Sequence, residues 1–140
     1  MRVARLNGPR SLEITDRPGH SPAAGQVVVE ITACGVGGSD REAWLGGTVV
    51  APAWFGHEWA GKVTAVGEGV AGRFEGQRVV AGVSPPCGSC SPCGAGRSSN
   101  CRTVLEQIVG LDPLAADHGG FATETVADAR RVVPVDEAIS

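Results

Sequence analysis

Residues 87–101 read CGSCSPCGAGRSSNC and place Cys87, Cys90, Cys93 and Cys101 in a C-x2-C-x2-C-x7-C pattern. Thiolates are soft, strongly donating ligands, and four of them suit a tetrahedral zinc ion. The segment has too little apolar content to bury a core, so metal binding would offset the entropy cost of ordering it. Four protein ligands leave no position open for water, which indicates a structural and not a catalytic zinc site.

Two other uses of these cysteines stay open at this point. A [4Fe–4S] cluster prefers C-x2-C-x2-C-x3-C-P, whereas the last gap here is longer and no proline follows it. Free thiols or disulfides are the second alternative, and disulfides would suit a secreted protein. We predict a reducing, cytoplasmic location, because residues 1–12 have no signal-peptide pattern and no apolar run could span a membrane. In that compartment the cluster favours metal ligands.

Composition limits the classes of partner. The chain has 140 residues and a net charge of −3, with charges of both signs scattered along it. Because it has no basic run and no aromatic–basic interleaving, we expect neither nucleic acid nor a membrane as a partner. The length suits one domain, residues 1–140, of which residues 87–101 form a metal-binding lobe.

Glycine turns between short apolar runs predict a mainly β fold. Strands are expected at residues 1–6, 11–16, 27–33, 59–66, 78–81, 121–126 and 131–135. Ser39, with Glu42 three residues on, predicts an N-cap and capping box for a short helix to about residue 45. Residues 136–140 could begin another helix. The pattern indicates a partly open β-barrel or sandwich, and no G-x-G-x-x-G opens a helix after a strand, so we expect no nucleotide-binding half.

Several further motifs follow one another in an order typical of one family. They are residues 33–36 (ACGV), 39–40 (SD), 56–58 (GHE), 61–63 (GKV), 66–70 (VGEGV), 76–79 (GQRV), the cysteine lobe and residues 119–122 (GGFA). With them the chain resembles the zinc-dependent medium-chain dehydrogenases, the alcohol and polyol dehydrogenase family, over almost its whole length. The resemblance implies a GroES-like catalytic domain, followed in the family by a Rossmann domain that binds NAD or NADP. It also implies a catalytic zinc that polarises the substrate oxygen while hydride passes to the nicotinamide.

The resemblance assigns the four cysteines to the family's structural zinc lobe and implies roles for four other residues. His57 matches the histidine ligand of the catalytic zinc, and Glu58 matches the adjacent glutamate that polyol-type members use. Asp40 matches an acid that orients the histidine, and Ser39 matches the hydroxyl that relays the substrate proton. The family's cysteine ligand, however, falls at Gly37, which has no side chain.

Other departures make the catalytic site doubtful. Glu42 stands where many members have a relay histidine, and the family's last ligand lies beyond Ser140. Cys34 could replace the missing thiolate only if the loop after it rearranged, and we expect it to be a small buried residue at a strand end. We therefore expect one structural zinc and a degenerate catalytic site at His57 and Glu58.

Two functions compete. The first is the zinc-binding GroES-like domain of an alcohol or polyol dehydrogenase-like oxidoreductase, truncated before its NAD(P)-binding domain and inactive alone. The second is a non-catalytic zinc-binding interaction module derived from that family. A co-chaperonin role follows only from the name of the fold, which does not carry function. We expect a homo-oligomer or a partner chain to cover the apolar surface where a cofactor domain docks.

Overall fold

A computed structural model describes residues 1–46, 53–71, 74–82, 86–103, 119–136 and 138–139. The strands are β1 (Arg2–Gly8), β2 (Ser11–Asp16), β3 (Gln26–Cys34), β4 (Ala53–Trp54), β5 (Trp59–Val66), β6 (Arg78–Ala81), β7 (Glu124–Asp128) and β8 (Val132–Pro134). The helices are α1 (Gly38–Trp44) and α2 (Ser91–Gly94), and a 3₁₀ turn spans Ser98–Asn100. The predicted mainly β fold is confirmed, and among the described residues no helix has the length and apolar content needed to cross a bilayer.

The strands form two antiparallel sheets. The smaller has the order β2-β1-β4, and the larger has the order β7-β3-β5-β6-β8. The larger sheet curls strongly, like half of a barrel. The two strands expected at residues 1–6 and 11–16 pair as a hairpin, since Leu6 pairs with Leu12 and a bulge follows Leu6. A bridge between Val3 and Ala122 joins the chain near β7 to the smaller sheet.

The core lies on one face of the larger sheet. Its buried members are Val27, Val29, Trp59, Val63, Val79, Ala127 and Val132. The β-branched run of β3 explains why that strand lies inside the sheet, between β7 and β5, where valine packs on both neighbours. Full burial of one such side chain contributes about 1.5–3 kcal/mol, so apolar burial stabilises the strands that flank the candidate site.

The start of α1 differs from the prediction. The N-cap is Gly37, in extended conformation, and the Asp40 carboxylate accepts a hydrogen bond from the Gly37 N–H at 2.8 Å. Ser39 lies inside the helix and is exposed, and Glu42 forms an ion pair with Arg41 at 3.0 Å. The predicted cap at Ser39 with Glu42 as its partner is therefore wrong. Asp40, and not Glu42, bonds to the N-cap backbone. Its carboxylate also accepts a hydrogen bond from a distant residue, described below, which a local sequence pattern does not reveal.

The last strands also begin later than predicted. Residues 121–126 were expected to form one strand, but the ladder with β3 runs over β7, Glu124–Asp128. Before that point the chain also contacts β1, where the Ala4 N–H donates to the Phe121 carbonyl at 2.8 Å, while the Thr123 carbonyl accepts from Ile31 of β3 at 3.0 Å. The chain thus changes sheets at residues 121–123. The helix expected at residues 136–140 lies partly outside the described residues.

Candidate functional site

The cysteine lobe brings four sulfur atoms together. The Sγ atoms of Cys87, Cys90, Cys93 and Cys101 all lie within 4.8 Å of one another. Ligands at zinc–sulfur distances of about 2.3 Å in a tetrahedron have sulfurs about 3.8 Å apart. The Cys90 sulfur lies 3.4 Å from that of Cys93 and 3.9 Å from that of Cys101, on either side of this value. The predicted cluster therefore has the size of a four-thiolate zinc site.

Short local structures set these positions. Cys90 is the N-cap of α2 and Cys93 lies on that helix, while Cys101 directly follows the 3₁₀ turn and is fully buried. Gly88 has φ +76°, a left-handed conformation that side chains disfavour, and so turns the chain between the first two ligands. The spacing of the first three cysteines thus corresponds to one turn followed by one helical turn.

The electrostatics of the lobe favour a cation. Backbone hydrogen bonds from Ser89 and Cys90 lower the pKa of Cys87 to about 5. Burial and hydrogen bonding to the Cys90 thiol raise the pKa of Cys93 to about 12. Sulfurs this close cannot all be thiolates unless a positive charge balances them. The donor set therefore fits a soft divalent metal such as zinc.

A second group of polar side chains lies around His57, just before β5. The His57 Nε2 is 3.6 Å from Glu58 Oε1, and its Nδ1 is 4.0 Å from Asp40 Oδ2. Both distances exceed a good hydrogen bond. This arrangement is consistent with the roles that the resemblance implies for His57, Glu58 and Asp40, which require the three side chains to lie close together. Ser39, by contrast, points from the exposed surface of α1, and its proposed relay role stays a prediction.

Asp40 ties the site together. Its side chain is only 6% exposed and accepts the Gly56 N–H at 3.2 Å through the oxygen that Gly37 does not use. One carboxylate thus joins the start of α1 to the loop that carries His57. Gly56 has φ +88°, and a Cβ there would lie 2.7 Å from the Cys34 sulfur, so glycine is required for this close approach.

The Glu58 carboxylate lies beside Gly37, the position at which the resemblance to dehydrogenases implies a cysteine ligand. A Cβ on Gly37 would lie 2.9 Å from Glu58 Oε1, 3.3 Å from Asp40 Oδ2 and 3.3 Å from His57 Cε1. A side chain at position 37 would therefore project into the group around His57. With glycine there, the space holds a carboxylate oxygen and no thiolate.

Cys34 does not join this group. Its thiol is half-buried against the core, whereas a fully buried residue was expected at this strand end. Burial, followed by the negative charges of Asp40 and Glu58, raises the pKa of Cys34 to about 11. Among the described residues, the cysteine lobe is the one group of three or more potential ligands close enough to hold a single ion.

A large groove beside the site was not predicted. It has a volume of about 790 Å³, and residues of β1, β2, β3 and α1 line it, together with residues 120–123. Leu12 and Ile14 of β2 lie in its wall and are 58% and 68% exposed. Their alternation with polar residues was visible in the sequence and indicated a strand. It did not show that their side chains stay exposed and are not buried in a core.

Comparisons with known proteins place the chain among dehydrogenases. The alcohol dehydrogenase GroES-like domain family matches residues 23–137. The starvation-sensing protein RspB of Escherichia coli K12 is 33% identical over 142 residues, which cover 100% of this chain and 40% of that protein.

Two solved structures are similar over nearly all of the chain. The short chain alcohol dehydrogenase rspB from E. coli CFT073, complexed with NADH, has a TM-score of 0.83 and 34% identity, covering 100% of this chain and 40% of that one. A thermostable alcohol dehydrogenase from Pyrobaculum aerophilum, with cobalt and zinc bound, has a TM-score of 0.79 and 28% identity, covering 96% and 41%. The chain thus spans about 40% of the length of the relatives it matches.

Proposed function

This chain belongs to the alcohol dehydrogenase GroES-like domain family, and we propose that it is the zinc-stabilised GroES-like part of an alcohol or polyol dehydrogenase-like oxidoreductase. The observation that carries the zinc assignment is the cluster of four cysteine sulfurs within 4.8 Å. The zinc bound to the similar alcohol dehydrogenase of Pyrobaculum aerophilum supports it. Bound there, zinc would neutralise the thiolates and hold the lobe in its fold.

Metal analysis tests the structural zinc. We expect purified protein to carry about one zinc per chain and to lose it when Cys90 and Cys93 are replaced by Ser. Cys34→Ser is the matched control, because this thiol lies outside the lobe, and it should keep the zinc. Protein that folds with no zinc, or that keeps its zinc after the double replacement, would contradict the assignment.

Hydride transfer is proposed for the longer enzyme and not for these 140 residues. They carry no dinucleotide fingerprint, while the similar rspB structure is complexed with NADH. NAD or NADP would then be held by residues outside this chain, and the chain alone would be inactive. Titration with NADH, followed by cofactor fluorescence, should show no saturable binding to residues 1–140. Saturable binding would overturn this part of the proposal.

A second candidate is a non-catalytic zinc-binding interaction module. Gly37 favours it, because the loss of a thiolate weakens the case for a catalytic zinc at His57. The two candidates predict different results when these residues are fused to an NAD(P)-binding domain. If these residues, joined to an NAD(P)-binding domain, support alcohol oxidation, the module is excluded, and if they do not, the dehydrogenase role fails.

We further propose a cytoplasmic protein that self-associates through its apolar groove. The reduced thiols that zinc requires support the location. Leu12, Ile14, Val36 and Trp44 are all exposed by 40% or more and line the groove. Exposed apolar surface of this kind is typical of sites that another chain covers.

A further inference from the structure

We infer that the second zinc site of this family has been lost here through Gly37, and that the Glu58 carboxylate occupies the place of the missing thiolate. The inference builds on the proposed function, because it concerns the catalytic site of the same domain. It predicts one tightly held zinc per chain, in the cysteine lobe alone.

The first step is the set of donors. Catalytic zinc sites usually have three protein ligands and one open position. The group around His57 offers an imidazole nitrogen and the Glu58 carboxylate, whose nearest atoms are 3.6 Å apart. Both oxygens of Asp40 already accept backbone N–H groups. A thiolate is the strongest zinc donor in such a set, and it is the one that Gly37 removes.

The second step is the direction of residue 37. A Cβ there would lie within 3.3 Å of both His57 Cε1 and Asp40 Oδ2. A cysteine at this position would therefore aim its sulfur at the histidine. The Cβ would also lie 2.9 Å from Glu58 Oε1, so the carboxylate must move. Since this is the end of a flexible side chain that is 55% exposed, the movement costs little.

The third step excludes a substitute. Cys34 is the nearest cysteine in sequence, but it forms no group with His57 and Glu58 in which all the ligand atoms lie within 4.8 Å. A side chain at Gly35 would lie 2.8 Å from Glu58 Oε2, so the carboxylate also covers the backbone next to Cys34. The local backbone is held by hydrogen bonds to Asp40 and does not need a metal for its shape.

The test measures the number of zinc ions bound per chain by inductively coupled plasma mass spectrometry, after loosely bound ions have been removed. Wild-type protein should hold about one zinc and Gly37→Cys about two, because the new thiolate completes three protein ligands. Gly37→Ala adds the Cβ without the thiolate and should stay at about one zinc. Gly38→Cys is the matched control, since a Cβ there meets no atom within 4 Å, and it should also stay at wild-type content.

A further variant ties the gain to the proposed group. Adding His57→Ala to Gly37→Cys should return the content to about one zinc, because it removes a ligand again. Two zincs in wild-type protein, with one lost on His57→Ala alone, would overturn the inference. So would a Gly37→Cys protein that folds but stays at one.

If Gly37→Cys does not fold, the comparison of wild type with His57→Ala still decides, since equal zinc contents support the loss and unequal contents contradict it. Absence of zinc from wild-type protein would instead contradict the structural zinc site of the proposed function. Failure of the proposed function can therefore be distinguished from failure of this inference.

Discussion

At the scale of single residues, Asp40 does more than the sequence indicates. A resemblance to dehydrogenases assigned it to the orientation of His57, but the distance between their nearest polar atoms is 4.0 Å. Its stronger contacts are with the backbone N–H groups of Gly37 and Gly56. The residue therefore joins the start of α1 to the loop that carries His57, and it lies too far from the histidine for a good hydrogen bond.

Replacing Asp40 tests this reading. Asp40→Ala should lower the free energy of unfolding by about 2–6 kcal/mol, because two partly or fully buried N–H groups lose their acceptor at about 1–3 kcal/mol each. Asp40→Asn keeps one acceptor oxygen and should lose less. Urea unfolding measures both. The control is Asp16→Ala at an exposed position, expected within about 0.5 kcal/mol of wild type. Equal losses for both alanine variants would contradict the role of Asp40.

Gly61 is the second residue-scale test. A Cβ on this residue of β5 would lie 2.3 Å from the Glu30 carbonyl oxygen and 2.6 Å from Val29 Cγ1. Backbone in the neighbouring strand cannot move aside easily, so Gly61→Ala should destabilise the protein by about 3 kcal/mol or more. Gly8 lies in β1 with no atom within 4 Å of its Cβ position. Gly8→Ala should be near neutral, and a similar midpoint of thermal unfolding for both variants would refute the contact.

At the scale of elements, the cysteine lobe packs differently from the sheets. Between Cys87 and Cys101 the residues are exposed or half-buried, and Cys101 itself is buried. The larger sheet instead rests on valines that are fully buried, such as Val27 and Val29. Apolar burial therefore stabilises the sheets, whereas the lobe has little of it, and we propose that metal binding stabilises the lobe instead.

The zinc affinity of the lobe should weaken as the pH falls, because protons compete with zinc for the four thiolates. The zinc-bound lobe needs four thiolates, whereas without metal Cys93 keeps its proton because its pKa is about 12. Binding at neutral pH therefore displaces at least this proton, and the affinity should drop about tenfold per pH unit per proton displaced. Cys87, with a pKa of about 5, adds its proton only below that pH. Competition with a chromophoric chelator from pH 8 to 5 measures the slope, and a flat profile would contradict the thiolate site.

At the scale of the whole molecule, the two sheets leave a groove between them. Its wall includes Leu12 and Ile14, which are exposed and lie outside the core cluster of the larger sheet. A bridge at Val3 and the change of sheet at residues 121–123 fix this arrangement. The exposed apolar face is therefore a consequence of how the sheets meet, and not of either sheet alone.

Self-association through the groove is testable by light scattering. We expect the mass to rise with concentration, because covering exposed leucine and isoleucine removes apolar surface from water. Leu12→Ser together with Ile14→Ser should shift the protein toward the monomer. Val133→Ser, at a position 51% exposed on β8, is the matched control and should leave association unchanged. A monomer at high concentration would contradict the proposal.

Much of this molecule follows from local sequence. The strands at Trp59–Val66 and Arg78–Ala81 match their predicted bounds, because alternating apolar residues and glycine turns act over a few neighbours. The four-cysteine spacing likewise indicated the cluster of sulfur atoms, since one segment supplies all four. Contacts between distant segments decided the rest. Asp40 caps α1 because Gly56 comes near it, and Glu58 fills the space beside Gly37 because β5 pairs with β3. Such contacts depend on the packing of the sheets, which no local pattern records.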